Sequence, residues 1–212
     1  MDISSIRKDY KLRSLAELDV QATPYGQFDV WFKEAVSAEV LEVNAMVLST
    51  SSLDGVPSAR VVLLKDFNDA GFVFYTNYES QKGKELARNP HASLTFFWPQ
   101  LERQVRLNGV AEKVSRDESA AYFQSRPVGS QIGALSSPQS QLIVGRQQLE
   151  HDFEQYNQEF GEGKPIPMPD YWGGYRLKPF YVEFWQGRPS RLHDRIAYEK
   201  VEESWKTYRL AP

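Results

Sequence analysis

The chain has 212 residues, 41% hydrophobic and 13% aromatic, a composition that can bury a core and is unlike that of a disordered segment. Its 25 Lys and Arg against 28 Asp and Glu give a net charge of −3, without the basic excess of a nucleic-acid binder. Cysteine is absent, which excludes disulfide frameworks, thiolate metal sites and cysteine nucleophiles, and His91, His151 and His193 are too scattered for a local metal motif, so no metal is expected.

The first 26 or so residues mix charge with Pro24 and Gly26 and read as an arm, and the polar opening MDISSIRKDYKLRSL predicts no secretory signal. No apolar run approaches the roughly 20 residues that cross a bilayer, so no membrane partner and a cytoplasmic location are expected. Phe28, Trp31, Phe32, Ala35 and Val36 recur at helical steps and predict an amphipathic helix over about 28–40. Strands are predicted at Asn44–Thr50, Ser58–Lys65, Phe72–Asn77, Ala92–Trp98 and Arg103–Val114, with turns at Asp54-Gly55 and Asn68-Asp69-Ala70-Gly71. A helix is predicted over Ser80–Asn89, before Pro90. Ser115 and Glu118 form a capping box that opens another, running to about Ser125. Ser137 and Pro138 read as N-cap and first-turn proline of a helix carrying Leu142, Leu149, Phe153, Tyr156 and Phe160. A Pro/Gly-rich stretch over 161–174 then leads to strands at Tyr175–Gln186, Arg195–Glu199 and Ser204–Leu210. Closely spaced, hairpin-linked strands predict an antiparallel β-barrel with peripheral helices rather than a doubly wound sheet.

Glycine-rich phosphate loops and the common hydrolase motifs are missing, so an anionic ligand would be held by side-chain cations and helix N-termini. The sharpest constellation is Arg191-Leu192-His193-Asp194-Arg195: on an extended chain Arg191, His193 and Arg195 would share a face and repel one another. A solvated strand edge would explain this, but the apolar flank Val182–Gln186 favours a partly buried site with a bound anion. Arg60 and Lys65 bracket Val61, Val62, Leu63 and Leu64. Five apart, they would point to opposite faces of an undistorted strand, as snorkelling strand ends do. Tyr122 and Arg126, four apart, share a helical face near Ser130, an arrangement also common on surfaces. Gln139 and Ser140, in the first turn after Pro138, would either present polar groups to a phosphate or simply cap the helix.

The stretch Val182-Glu183-Phe184-Trp185-Gln186, a four-residue gap and Arg191-Leu192-His193-Asp194-Arg195 resembles the signature of the pyridoxine/pyridoxamine 5′-phosphate oxidase family. Supporting segments cover nearly the whole chain: Arg60–Lys65, Phe74–Asn77, Leu101–Val105, Ser125–Pro127, Ser130–Ala134, Trp172–Gly174 and Arg209–Pro212. The resemblance implies an α+β, mainly β fold, an antiparallel FMN-binding split β-barrel with peripheral helices. It implies an N-terminal arm or lid over 1–26, and a domain over 27–212 that includes a C-terminal dimerisation and substrate region. It also implies a homodimer with active sites at the subunit interface, and oxidation of pyridoxine or pyridoxamine 5′-phosphate to pyridoxal 5′-phosphate. In that reaction a hydride passes from the substrate's 4′-carbon to the flavin, dioxygen is reduced to hydrogen peroxide, and the amine substrate also releases ammonia.

Carried over by position, Arg60, Lys82 and Ser140 would hold the FMN phosphate side. Val61, Val62, Leu63, Leu64, Lys65, Tyr75, Thr76, Gln104, Gln139, Trp185 and Arg195 would line the rest of the flavin. Lys65, Tyr122, Arg126 and Ser130 would grip the substrate phosphate, Arg191 and His193 would act at the pyridine ring, and Arg7 and Tyr10 would belong to the lid. One position departs from the family: Gln81-Lys82 stands where Arg-Lys is usual, which predicts a looser hold on FMN. Two alternatives remain at this point, a split-barrel flavoprotein with another substrate and a non-catalytic carrier of pyridoxal 5′-phosphate.

Overall fold

The computed structural model describes residues 2–5, 9–160 and 163–212. Helix α1, Pro24–Ser37, begins where extended Thr23 accepts a hydrogen bond from the Gly26 amide and Pro24 fills the first turn. It therefore starts before Phe28, because the cap rather than the apolar stripe sets its origin. Of that stripe, Phe28, Trp31 and Ala35 are buried and Phe32 partly so, whereas Val36 is exposed. The Phe28 ring lies 4.9 Å from Phe72 and 5.0 Å from Phe96, and Trp31 meets Phe184 edge-on at 5.2 Å. Burial of each such ring contributes about 1.5–3 kcal/mol. The buried Arg103 fastens the helix to the sheet: its guanidinium lies 4.2 Å over the Trp31 ring, donates to Gln186 Oε1 at 2.9 Å and pairs with Glu34.

Among the described residues nine strands form one antiparallel sheet: β1 (Ala45–Ser51), β2 (Pro57–Leu63), β3 (Asp66–Asn68), β4 (Gly71–Asn77), β5 (His91–Trp98), β6 (Arg103–Lys113), β7 (Trp172–Gln186), β8 (Asp194–Val201) and β9 (Ser204–Leu210). Their order is β2-β1-β5-β6-β7-β4-β3, with β8 added beside β7 and β9 beside β8, and the sheet curls around the α1 stripe as a half-barrel. The mainly β, antiparallel architecture is the expected one. The Asp54-Gly55 turn joins β1 to β2, with Gly55 at φ 79°, a value only glycine takes without strain.

Strand β7 is the fork of the sheet. Along one side it pairs with β6; along the other, Trp172–Leu177 pair with β4 and Tyr181–Gln186 with β8. Pro179, which has no N–H to donate, sits at the fork opposite a bulge at Asn108/Gly109.

Four further helices flank the sheet: α2 (Gln81–Arg88), α3 (Arg116–Ser125), α4 (Val128–Ser136) and α5 (Arg146–Phe160). Ser115 caps α3 as the sequence predicts, and Ser80, expected as the first residue of its helix, is the cap of α2. The helix expected from Ser137 begins later: α5 carries Leu149, Phe153, Tyr156 and Phe160 as expected, but starts only at Arg146. Ser137 instead ends α4, Ser140 takes φ 67°, and no helix resumes before Arg146. Leu142, expected on that helix, is fully exposed outside it. Helix α4 gives little local signal, since Pro127 caps it without a side-chain hydrogen bond and Gly129 and Gly133 lie in its body; tertiary burial of Ile132 against Phe123 and Trp172 holds it. Among the described residues no helix is long and apolar enough to cross a membrane, and no acidic or histidine cluster could hold a metal.

Candidate active site

A cleft of about 690 Å³ opens where the end of β2 meets β4, α3 and α4. Twelve of the expected residues line it: Arg60, Val61, Val62, Leu63, Lys65, Tyr75, Thr76, Lys82, Tyr122, Arg126, Ser130 and Gln139. Because β2 ends at Leu63, Lys65 lies past the strand and escapes its alternation; it lines the same cleft as Arg60, not the opposite face. Leu64 is core instead, with its amide on the Asn44 carbonyl at 2.8 Å. Ser140 is exposed and outside the lining, and neither it nor Gln139 stands at a helix N-terminus. Strand β2 is the last in the sheet, so among the described residues its outer edge has no strand beside it.

One end of the cleft is cationic. Arg60 donates to Thr50 Oγ1 at 2.5 Å and Ser58 Oγ at 2.7 Å, with Glu85 3.4 Å away. Lys82 is only 8% exposed and donates to Gln139 Oε1 at 2.9 Å, while Gln139 also accepts from Thr76 Oγ1 at 3.2 Å. Burial, and then the charge of Arg60, pull the Lys82 pKa down. An anion at this end relieves both effects. Gln81 is exposed on the first turn of α2 and donates to Glu85 Oε1 at 3.0 Å.

The other end is aromatic and carries a second cation. The rings of Tyr75 and Tyr122 stack at 4.0 Å, and Trp172 lies parallel to Tyr75 at 5.4 Å. Arg126, the C-cap of α3, sits 4.9 Å over Trp172, with Nη1 buried and without a hydrogen-bond partner among the described residues. An unmet buried N–H on a cation is an oxyanion's place. Asn77, Pro127, Gly133, Ala134, Ser137 and Trp172 also line the cleft and are not among the expected site residues; all but Ser137 fall in segments that carry the family resemblance.

Tyr10, Gln104, Trp185, Arg191, His193 and Arg195 form a separate group that does not line this cleft. Gln104 is paired across strands with Trp185, and Trp185 with Arg195. His193 lies 4.5 Å from Trp185 between ring centres, and the Tyr10 ring meets Trp185 edge-on at 5.7 Å. The alternation expected over 191–195 is absent. Ser190 and Arg191 take φ 55° and 62° in a 3-10 turn, and β8 begins only at Asp194. Nor does Arg195 need an anion to offset it, because Glu183 bonds it at 2.8 and 3.0 Å. Burial works to raise the Glu183 pKa, but hydrogen bonds from Arg195, Arg106 and Tyr181 outweigh it and hold the carboxyl below its usual range. Arg7 lies outside the described residues.

The imidazole of His193 is fixed in one form: Nδ1 accepts the Arg188 amide at 3.1 Å, so its proton sits on Nε2. Burial first, then the charge of Arg191, lower its pKa.

The two groups are held apart by the sheet. Tyr75 pairs with Gly174, eleven residues before Trp185 on β7, which is up to about 36 Å of extended strand. Residues 32–160 match the family model described as pyridoxamine 5′-phosphate oxidase, and 172–212 match the one described as the pyridoxine 5′-phosphate oxidase C-terminal dimerisation region. The chain belongs to the pyridoxamine 5′-phosphate oxidase family. A pyridoxine/pyridoxamine 5′-phosphate oxidase of Cupriavidus taiwanensis is 55% identical over 99% of both chains, and one of Cyanothece sp. is 51% identical over 100% of this chain and 99% of its own length.

Among solved structures, PhzG of Burkholderia lata 383, in complex with tetrahydrophenazine-1-carboxylic acid, has a TM-score of 0.89 at 30% identity, over 95% of this chain and 99% of its own. A pyridoxamine 5′-phosphate oxidase-related, FMN-binding protein of Nostoc punctiforme has a TM-score of 0.71 at 17% identity, over 91% and 100%; that likeness shows the fold alone. In this family's terms, the cleft draws all its residues but Trp172 from 32–160, and most of the second group lies within 172–212.

Proposed function

We propose that the protein is an FMN-dependent oxidase that converts pyridoxine or pyridoxamine 5′-phosphate to pyridoxal 5′-phosphate, with dioxygen as electron acceptor. The observation that carries this reading is the pairing of two cationic positions, Arg60 with Lys82 and Arg126 with its orphaned N–H, in one aromatic-walled cleft. Cofactor and substrate each bring one phosphate, and an anion at each position satisfies what the protein leaves unmet.

The residues fit a flavin mononucleotide. Arg60 and Lys82 would hold its phosphate, the open edge of β2 offers backbone groups to a flat heterocycle, and Thr76 and Gln139 supply polar contacts. When bound, FMN supplies the two-electron acceptor and returns the electrons to dioxygen as hydrogen peroxide. Lys65, Arg126, Tyr122 and Ser130 would anchor the substrate phosphate, and Arg191 and the Nε2–H of His193 would orient its ring. With the amine, water completes the reaction and ammonia leaves.

A homodimer completes the site in this reading. The outward sheet face carries exposed Val47, Val61, Leu63 and Phe97, and Phe97 pairs with Gln104, which pairs with Trp185. This apolar row joins cleft and second group, so a two-fold partner packed on it would set the second group of one copy against the cleft of the other. The arm of the same proposal ends at Thr23, since the helix from Pro24 packs with the barrel.

Anaerobic mixing of the FMN-loaded protein with pyridoxine 5′-phosphate tests the proposal: the flavin's visible band should bleach and return on admitting air. Bleaching by tetrahydrophenazine-1-carboxylic acid but by neither B6 phosphate would favour a PhzG-like activity instead. Pyridoxal phosphate binding without flavin uptake would mark a carrier.

A further inference from the structure

The turn between β5 and β6 ends on Glu102, whose backbone takes φ 56° and whose residue is only 3% exposed. Its carboxylate lies against the N-terminal arm, where Oε2 accepts the backbone amides of Lys11 at 2.8 Å and Leu12 at 3.1 Å. Three residues further, the Leu15 amide is taken by Asp194 Oδ2 at 3.0 Å, and Arg188 Nη1 donates to the Arg13 carbonyl at 3.2 Å. Asp194 is itself held by Arg209 at 2.8 Å. The contacts read the arm's backbone, not its side chains. Gly187 leaves the room for it, because a Cβ there would sit 2.7 Å from Tyr10 and 3.0 Å from Glu102. The pinned arm lays the Tyr10 ring edge-on against Trp185 and 6.0 Å from His193.

We propose that Glu102, seconded by Asp194, is a positioning residue: it fastens arm residues 11–15 so that Tyr10 covers His193 and Trp185, without itself touching substrate. The inference rests on the oxidase reading for the role of His193, while the fastening itself does not.

Two variants test it in the FMN-loaded enzyme. Glu102→Ala removes the acceptor, and Leu12→Pro removes one donor at an exposed position away from the core. Leu12→Pro, which loses one charge-assisted hydrogen bond, should raise KM for pyridoxine 5′-phosphate about tenfold or more, and Glu102→Ala, which loses two, at least as much, each with a much smaller change in kcat. Glu102→Gln, still an acceptor, should recover part of the affinity. Limited trypsin digestion should cut after Arg13 faster in both variants than in wild type, and after Lys11 faster in Glu102→Ala, since the Lys–Pro bond of Leu12→Pro resists trypsin; pyridoxal 5′-phosphate should slow the wild-type cuts. Unchanged KM and unchanged cleavage in Leu12→Pro would overturn the proposal, and faster cleavage at unchanged KM would overturn the positioning role. A wild type that oxidises neither B6 phosphate would defeat the oxidase reading, and the trypsin comparison would still decide the fastening.

Discussion

His193 shows how much a single backbone contact decides. An amide can only donate, so the Arg188 N–H at Nδ1 commits the ring to its neutral form, and burial beside Arg191 lowers its pKa in the same direction. Protonation would place a second N–H against that amide. Affinity for pyridoxal 5′-phosphate should therefore be insensitive to His193 above the ordinary imidazole pKa of about 6.5, and fall as pH drops through the depressed value. The ligand phosphate titrates nearby, so the diagnostic is a comparison: the acid limb of a binding profile should be one proton steeper in wild type than in His193→Asn. Equal limbs would assign the imidazole no titrating part. None of this was legible in Arg191-Leu192-His193-Asp194-Arg195, where alternation assumes a strand and the chain instead makes a left-handed turn at Ser190 and Arg191. The charge on Arg195 was legible, but its partner Glu183 was not, because they meet only through the pairing of β7 with β8.

Among elements, caps were readable where their chemistry is local. Ser115, read with Glu118 as a capping box, bonds within one turn and α3 begins where expected, while Ser80, read as helix, sits one residue before α2 and caps it in the same way. Ser137-Pro138 carries the same letters, yet ends a helix, since the buried contacts of α4 and the backbone of Ser140 outweigh a cap that could have formed. At the start of α2, Gln81 spends its side-chain amide on Glu85, beside Arg60 and Lys82. Gln81→Arg would add a cation at a helix N-terminus facing the proposed FMN phosphate. It should tighten FMN binding several-fold, up to about tenfold, less than a buried charge-assisted bond because the position is exposed. Flavin fluorescence titration measures this, and an unchanged Kd would leave the phosphate to Arg60 and Lys82 alone. That these two cations share one cleft with Arg126 was not readable from spacing; β2, α2 and α3 bring them together.

For the whole molecule, the barrel class followed from hairpin spacing, whereas the division of candidate residues into two distant groups needed the register of β6, β7 and β8. If two copies share each site, variants broken in different groups should rescue one another. Arg126→Ala and Arg191→Ala, each inactive alone, should regain about a quarter of wild-type activity when unfolded and refolded together, since random pairing leaves one intact site in half of the dimers. No recovery would place both groups in a single copy's site.

Strand β7 serves both groups at once, pairing with β4 at one end and β8 at the other. It is thus a ruler with residue-sized graduations. Inserting one residue between Gly174 and Trp185 would turn every following side chain to the other face, and inserting two would slide the far group by about 6.6 Å. No intermediate setting exists. The separation of the two groups is quantised, so a new substrate must be accommodated by exchanging side chains at fixed marks, not by adjusting the distance between them.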